Sequence, residues 1–471
     1  MRVAAEITNT TRVAVLVAVA LVLSSCTNAI PGRPLAAGDV LTRGASGETG
    51  GVDPSFVRNS DLGAIDRLAA TVVTDVQDYW REQFPEVFGK EWRDLEGGFY
   101  SVDTADPAAP TPPCTTKPSD VEGNAFYCPT ADIIAWDRTA LLPVLRDQFG
   151  EASVMIVLAH EMGHAVQRRS GIAITSDRQD ERYPTIAIEA MADCYAGSFV
   201  KWVAEGNAPH LRIDRTGLDP ALEALVSFRD PIGTSQDDQG AHGDAFDRVS
   251  AFQDGFEQGV KLCAGMTAQN REFTLRGFLN TSDLQNGGNL RFDDMVKSVS
   301  ENLNIFFNAE VQRLGKQWRP PTVRPTGNTP RCPGSDGEQG PVAYCDQAST
   351  IDYVTGELSR LHKDIGDYAT GTMLASRFGL ATLASLGKPL NGTQAQRAAV
   401  CLAGAYTGAL IVRRNDRFAL SPGDLDEAMQ VLLRFDYAGR DMRGQSIETG
   451  YERVAAFRAG TNDGAAACGI N

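Results

Sequence analysis

The amino-acid sequence predicts a mainly helical α+β protein that contains one domain twice, the second time in degenerate form. Its 471 residues are enough for several domains of about 100–200 residues each. Stretches without proline, such as residues 185–200, and wholly apolar ones, such as residues 154–159, are typical of buried helices. Short motifs of the first half recur in the same order in the second half, which is the pattern of a duplicated domain.

The composition excludes several classes of protein. Hydrophobic residues make up 42% of the chain and charged residues 22%, which is ordinary for a globular protein and argues against disorder, collagen and many membrane spans. The 44 basic and 60 acidic side chains give a net charge of -16. Because this charge repels a phosphate backbone, we expect no nucleic-acid partner.

The N-terminus has the features of an export signal. Two arginines precede an apolar run, residues 13–23, that is too short to span a bilayer comfortably. The run ends in Leu-Ser-Ser-Cys, which resembles the bacterial lipobox, where small residues fit the signal peptidase and the cysteine thiol accepts diacylglycerol. We therefore predict a lipoprotein signal peptide at residues 1–25 and a lipid anchor at Cys26, on the extracytoplasmic side of the cell membrane. The alternative is a plain secretory signal that contains a cysteine.

The segment after Cys26 has the composition of a tether. Residues 27–60 are rich in Gly, Pro, Ala and Ser and lack a sustained apolar period. A flexible chain of this length spans roughly 30 Å. We assign residues 26–60 to the anchor and a flexible tether, with an ordered arm packed on the domain as the alternative.

The internal repeat defines the two domains. Six anchors occur in one order in both halves: residues 89–93 and 315–319, Cys114 with Cys128 and Cys332 with Cys345, 158–165 and 374–381, 194–197 and 401–404, 218–228 and 425–435, and 248–252 and 453–457. The alternative is that helical proteins drift into similar strings. The anchors predict a first domain at residues 61–270, a linker at 271–289 and a degenerate second domain at 290–471.

The cysteines follow the same repeat. Nine cysteines minus Cys26 leave eight, four in each half at matching places. A repeated unit should repeat its own bridges, and an oxidising compartment permits them. Ligation of metal by cysteine is disfavoured because no CxxC pair occurs. The predicted disulfides are Cys114–Cys128, Cys194–Cys263, Cys332–Cys345 and Cys401–Cys468.

The chemistry of the chain is concentrated at residues 160–164, which read His-Glu-Met-Gly-His. On a helix, His160 and His164 share one face and can bind the same ion. A catalytic zinc takes three protein ligands and a water whose pKa falls to about 7, and Glu161 can take the proton from that water. The alternative is two packed histidines without a metal.

A third ligand is expected from the helix predicted at residues 185–200. Glu189 and Asp193 are four residues apart and lie on one face. Glu189 can bind the metal while Asp193 accepts a hydrogen bond from a ligand imidazole. The alternative is a solvated acidic face.

These motifs resemble those of the bacterial neutral zinc metallopeptidase family, within the gluzincin pattern of HExxH followed by ExxxD. The resemblance rests on HEMGHAVQ at residues 160–167, EAMADCYAG at 189–197 and His242-Gly243 leading to Arg248, and it spans roughly residues 61–270. It implies an α-rich, zincin-like domain with one zinc ion on His160, His164 and Glu189, and Glu161 as the base. It does not cover the second domain.

His242 is the remaining candidate for a catalytic role. A peptidase of this kind needs a hydrogen-bond donor for the oxyanion that forms at the attacked carbonyl, and His242 can supply it. The alternative is a histidine in a surface loop. In the second half every site position is replaced, the equivalents being Ser376, Arg377, Leu380, Gln396, Val400 and Ile447. We expect the second domain to fold without zinc and to cover the cleft, select substrate or bind a protein partner.

Together these features predict a lipid-anchored extracytoplasmic zinc-dependent peptidase that acts on peptides or proteins. Two alternatives stay open. One is a zinc-bearing scaffold or binding module that hydrolyses nothing, and the other is an amidase that acts on cell-wall peptides.

Replacing the lipidation site tests the anchor. Cys26→Ala removes the thiol that would carry the diacylglycerol, and we expect the protein to move from the membrane to the soluble extracytoplasmic fraction. Cell fractionation with immunoblotting measures this distribution, and Ser24→Ala serves as the control. Unchanged membrane retention of Cys26→Ala would indicate another anchor.

Overall fold

A computed structural model describes residues 51–471, except for residues 175–179, 239, 279, 335–336 and 414–417. The predicted signal peptide, the predicted lipidation site Cys26 and residues 26–50 of the predicted tether lie outside the described residues.

The first half consists of a long helix, a small sheet and a series of further helices. The elements are α1 (Ala64–Phe88), β1 (Gly98–Val102), β2 (Ala125–Cys128), β3 (Ile133–Asp137), α2 (Leu141–Phe149), α3 (Glu151–Ser170), α4 (Thr185–Ala204), α5 (Arg215–Ser227), α6 (Ala245–Gln258), α7 (Val260–Ala264) and α8 (Thr281–Asn286). The strand order is β1-β3-β2, with β1 parallel and β2 antiparallel to β3. Strand β2 is therefore an edge strand.

The second half has elements in the same order. They are α9 (Phe292–Arg313), β4 (Thr322–Thr326), β5 (Val342–Cys345), β6 (Thr350–Val354), α10 (Thr355–Asp364), α11 (Asp367–Leu386), α12 (Thr393–Val412), α13 (Asp424–Arg434) and α14 (Gly450–Asp463). The strand order is β4-β6-β5, again with the first strand parallel and the second antiparallel to the middle one. The mainly helical α+β class predicted from the sequence is confirmed.

The central helices of the two halves end in the same way. Helices α3 and α11 are almost entirely buried, which their apolar composition predicts. They end at Gly171 and Gly387, whose φ values of 104° and 70° lie in the left-handed region that favours glycine.

Close helix crossings hold each half together. A β-carbon added at Gly197 of α4 would overlap the carbonyl oxygen of Phe252 in α6, and one added at Gly255 of α6 would overlap that of Cys194. In the second half, Gly404 of α12 and Gly460 of α14 contact carbonyl oxygens in the same way. Glycine at these positions lets the helix backbones touch.

All four predicted cysteine pairs lie at disulfide distance. The Cα–Cα distances are 6.2 Å for Cys114–Cys128, 5.5 Å for Cys194–Cys263, 5.0 Å for Cys332–Cys345 and 5.4 Å for Cys401–Cys468. In each half, one bridge includes the last residue of the edge strand, Cys128 or Cys345. The other bridge joins the helix that follows the central helix to Cys263 or Cys468, near the end of that half.

Residues 51–60, which the composition assigns to the tether, pack on the first half. Val57 is buried. The backbone amide of Arg58 donates to the carbonyl oxygen of Phe99 in β1 at 2.9 Å, and the amide of Ser101 donates to Arg58 at 2.9 Å. The domain therefore begins before residue 61, because the open side of β1 offers hydrogen bonds to a segment whose composition is not that of a strand.

The segment predicted as a linker, residues 271–289, is also part of the fold. Thr274 and Leu275 are buried, and the backbone amide of Thr274 donates to the Asp247 carboxylate at 2.8 Å. The Thr274 hydroxyl donates to Asp244 at 2.9 Å. Polar side chains of α6 and its N-cap fix this segment, and its own composition gives no sign of that.

The two halves contact each other directly within one compact body. The Asp219 carboxylate of α5 accepts hydrogen bonds from the amides of Gly450 and Tyr451, at 2.5 and 2.8 Å. Arg229 pairs with Asp426 of α13 at 2.8 Å. The carboxylates of Asp219 and Asp426 are buried, so the two halves share a polar interface.

Among the described residues, α12 is the one helix long and apolar enough to cross a membrane. Most of it is buried inside the protein, where it packs on α11 and α14. Because core helices share this length and composition, we assign α12 to the core.

Adding a single methyl group at the crossings tests their role. Gly255→Ala and Gly460→Ala place a β-carbon against a backbone carbonyl, and we expect each to lower the free energy of unfolding by about 1–3 kcal/mol or more. Gly356→Ala in α10 is the matched control, because nothing lies within 4 Å of its β-carbon. Denaturant unfolding measures the differences, and equal stability of all three variants would contradict the crossing geometry.

Candidate active site

A cavity of about 1430 Å³ opens over the middle of α3. The side chains of His160, Glu161, His164 and Glu189 line it, and His242 lies on its wall. The five catalytic and metal-binding residues predicted from the sequence are thus brought to one cavity.

The three predicted ligands converge on one point. Nε2 of His160 lies 3.1 Å from Oε2 of Glu189, and Nε2 of His164 lies 3.6 Å from the same oxygen. The two imidazole rings are perpendicular, with centroids 4.8 Å apart. Helix α3 supplies both histidines one turn apart, and α4 crosses it so that Glu189 faces them.

The other ring nitrogens are held by hydrogen bonds. Nδ1 of His160 lies 2.7 Å from Oδ1 of Asp193, as the sequence predicts. Nδ1 of His164 lies 3.0 Å from Oε1 of Gln167, whose amide donates to the Ile188 carbonyl oxygen at 2.6 Å. Both histidines therefore turn Nε2 toward Glu189.

Asp193 is itself held by an arginine. Nε and Nη2 of Arg248 in α6 donate to its two oxygens at 2.9 and 3.0 Å, and Nη1 donates to the Phe228 carbonyl oxygen at 2.8 Å. Asp193 is fully buried. Burial raises its pKa, but the charges of Arg248 and His160 outweigh this effect and lower it, so Asp193 is an anion that faces His160.

The donor set fits a zinc ion. Two imidazole nitrogens and one carboxylate oxygen lie within 4.8 Å of one another, and each imidazole has the outer hydrogen bond that is usual for a metal ligand. Burial lowers the pKa of His160, but Asp193 and Glu189 outweigh it and raise the pKa to about 10. The acidic surroundings thus favour a positive charge at this point, and a zinc ion supplies one.

Glu161 lies beside the ligands without being one of them. Its Oε2 accepts a hydrogen bond from the backbone amide of Tyr127 in β2 at 2.9 Å. Burial raises the pKa of its carboxyl group. A buried carboxylate fixed by one oxygen is suited to accept a proton at the other.

His242 lies on the cavity wall in a fixed position. Its Nδ1 lies 3.2 Å from Oδ1 of Asp230, and its backbone amide donates to Oδ2 at 2.6 Å. The hydrogen bond to Asp230 raises the pKa of His242, burial opposes the rise, and the charge of Glu189 adds to it. The side chain is 48% exposed, so it can donate a hydrogen bond into the cavity.

The second half contributes to the same cavity. Ile411 and Val412, at the end of α12, line it, and Val412 is 79% exposed. These apolar side chains face the space into which a substrate would enter.

In the second half, an arginine stands at the position aligned with Glu161. Arg377, the equivalent of Glu161, is fully buried and donates to Oε1 of Gln339 at 3.0 Å and to the carbonyl oxygens of Tyr437 and Ala438 at 3.0 and 2.9 Å. Burial lowers its pKa to about 9. Gln339 also accepts the amide hydrogen of Tyr344 at 3.0 Å, as Glu161 does that of Tyr127.

Sequence reasoning missed three supporting groups. Gln167 lies three residues after His164 on one helix, and this spacing could have revealed it. Arg248 belongs to a recognised motif, but only the helix crossing shows that it reaches Asp193. The Tyr127 amide is a backbone group and leaves no trace in the sequence.

A comparison with protein families supports the metal site. Residues 43–265, just under half of the chain, match the sequence model of the family described as "Putative neutral zinc metallopeptidase". The family resemblance drawn from the motifs is confirmed over this segment. No curated protein matches the chain, and no solved structure does.

Removing the charge of Asp193 tests the support of the metal ligands. We expect Asp193→Asn to weaken zinc binding about 10–100-fold, since Asn does not hold His160 as a carboxylate does. Competition with a chromophoric chelator measures the affinity.

Asp75→Asn is the matched control, because Asp75 is a second buried aspartate paired with a histidine, His210, at 2.6 Å. It should leave zinc affinity unchanged even if it lowers stability. Equal zinc affinity of Asp193→Asn and the wild type would exclude the positioning role.

Proposed function

We propose that the protein is a zinc-dependent peptidase that hydrolyses peptide bonds with water. The observation that carries the proposal is the convergence of His160, His164 and Glu189 beside Glu161 in one large cavity. The family match over residues 43–265 supports the same class of enzyme.

Zinc, when bound by His160, His164 and Glu189, would polarise the scissile carbonyl group and lower the pKa of a water molecule. Glu161 accepts the proton of the attacking water at its carboxylate and passes it to the leaving amine. Asp193 and Gln167 keep the imidazoles oriented. His242 donates a hydrogen bond to the oxyanion that forms at the attacked carbonyl.

The cavity suits an extended peptide. Its wall includes residues 124–127, which cover most of the edge strand β2, and an edge strand offers backbone hydrogen bonds to an added chain. The apolar side chains of Ile411 and Val412 face the same space. We propose a peptide or protein substrate with an apolar side chain near this wall.

We also propose that the second half is a degenerate copy of the first. The same order of elements, the same strand pairing and the equivalent glycine crossings support this. Its own site positions carry no imidazole or carboxylate ligand. Its function is to form one wall of the active-site cavity rather than to catalyse.

The same proposal places the protein outside the cytoplasm, attached to the membrane through a lipid on Cys26. The Leu-Ser-Ser-Cys motif at residues 23–26 and the basic and apolar segments before it support the anchor. Four cysteine pairs at disulfide distance suit an oxidising compartment.

Glu161→Gln separates an enzyme from a zinc-bearing scaffold. Gln has nearly the same shape as Glu but does not accept the proton, so we expect zinc content and fold to persist while turnover falls about 10²–10⁴-fold. Cleavage of a diverse peptide library and of purified cell-wall fragments, followed by mass spectrometry, measures turnover and distinguishes a general peptidase from a cell-wall amidase.

Glu272→Gln is the matched control, because Glu272 lines the same cavity but is exposed and distant in sequence from α3. It should retain full activity. The peptidase assignment fails if zinc-loaded wild type cleaves nothing in either set, or if Glu161→Gln is as active as wild type.

A further inference from the structure

A second group of carboxylates is buried in the second half. Asp367 at the start of α11, and Asp424 and Glu427 at the start of α13, are each at most 4% exposed. One oxygen atom from each lies within 4.8 Å of one from each of the others. No part of the proposed catalytic mechanism uses them.

Each carboxylate is oriented by a backbone amide. Oδ2 of Asp367 accepts the amide hydrogen of Leu290 at 2.6 Å, Oδ2 of Asp424 that of Ser421 at 2.9 Å, and Oε2 of Glu427 that of Tyr368 at 2.6 Å. The three side chains are thus fixed by three different segments of the chain. The amide of Tyr368 also bonds Asp367, that of Ala369 also bonds Glu427, and the side chains of Asp367 and Asp424 bond each other.

The second carboxylate oxygen of Asp367, Oδ1, lacks a hydrogen-bond donor in the part of the chain that the structure describes. Oδ1 is buried and has no hydrogen-bond partner among the described residues, while the residue as a whole is only 2% exposed. A buried carboxylate oxygen without a partner is costly, and such an atom is usually explained by a ligand or an ion.

The surroundings disfavour three negative charges, and burial raises the pKa of Asp367 to about 6. Burial, followed by repulsion from Asp367, raises the pKa of Asp424 and of Glu427 well above the usual value. The charge of Arg276 offsets a small part of this rise in the pKa of Asp424. All three carboxylates can therefore be ionised together only if a cation lies among their oxygens, and otherwise protons neutralise them.

We infer that Asp367, Asp424 and Glu427 bind one calcium ion. Calcium prefers oxygen ligands at about 2.3–2.6 Å and accepts irregular geometry, so it can bridge oxygens separated by up to roughly twice that distance. Magnesium keeps several water molecules, which this buried position disfavours. Zinc prefers nitrogen and sulfur ligands, and the cluster offers neither.

The packing around the cluster is close. A β-carbon added at Gly366, the residue before Asp367, would overlap the carboxylate of Glu427. The aligned positions of the first half are Glu151, Gly217 and Pro220, so the cluster belongs to the second half alone.

The ion would join α11, α13 and the chain just before α9. Helix α13 also carries Asp426, which pairs with Arg229 of the first half and accepts the amide hydrogen of Ala245 at 2.7 Å. Calcium bound here would hold α13 in place. It would thereby stabilise the contact between α13 and the start of α6, which joins the two halves.

Calcium titration of the full mature protein tests the inference. The protein is stripped of metal with EDTA, desalted, given one equivalent of zinc and titrated with CaCl₂ by calorimetry and by thermal unfolding. We expect one calcium ion per chain and a rise in Tm of about 3 °C or more at saturation.

Asp424→Asn and Glu427→Gln keep the shape and the acceptor oxygen but remove a charge, and we expect calcium affinity to fall at least about 100-fold with loss of the Tm shift. Asp219→Asn is the matched control, since Asp219 is a buried carboxylate that accepts two backbone amides elsewhere. It should keep the shift, and so should Glu161→Gln, which makes the result independent of peptidase activity.

A wild-type Tm that does not respond to calcium up to about 10 mM, well above the weakest calcium modules at about 10⁻³ M, would overturn the inference. So would a Tm shift of normal size in Asp424→Asn or Glu427→Gln. In that case protons neutralise the cluster, and both variants should be more stable than wild type in calcium-free buffer. If one variant does not fold, the other variant and the wild-type titration still test whether the cluster binds calcium.

Discussion

The candidate active site depends on one buried carboxylate, that of Asp193. It lies on α4 and joins two other helices, because it bonds His160 of α3 and Arg248 of α6 at the same time. A buried charge is stable only when it is paired and fully hydrogen-bonded, and here the partners are His160 and an arginine that bonds a backbone carbonyl oxygen. The crossing of α4 and α6 at Gly197 and Gly255 brings these groups within reach.

The second half shows what the same arrangement of helices does without that carboxylate. Val400 stands at the position of Asp193. Arg453, at the position of Arg248, donates instead to the carbonyl oxygens of Leu432, Ile447 and Leu433, at 2.7, 3.1 and 3.1 Å. Arg377 likewise satisfies backbone oxygens. In the second half the buried arginines bond backbone oxygens, while the glycine crossings are like those of the first half.

The two halves contribute unequally to the cavity. The first contributes His160, Glu161, His164 and Glu189 to the cavity, and the second supplies part of the cavity wall through Ile411 and Val412. Buried polar contacts such as that between Asp219 and the start of α14 fix the halves together. Two residues of the acidic cluster, Asp424 and Glu427, lie on α13, the helix that also carries Asp426, so a cation there would act on the fold rather than on the reaction.

The sequence alone determined the helical class, the metal motif and the cysteine pairs, because helical spacing places His160 and His164 on one face and the repeat aligns the cysteines. It also indicated Glu189 and Asp193, which share a helix face. Only the tertiary structure decided that Arg248 supports Asp193, that residues 51–60 pack on β1, and that three carboxylates of the second half meet. These features depend on contacts between distant segments, and local spacing and composition carry no information about which backbone amides and charges such segments bring together.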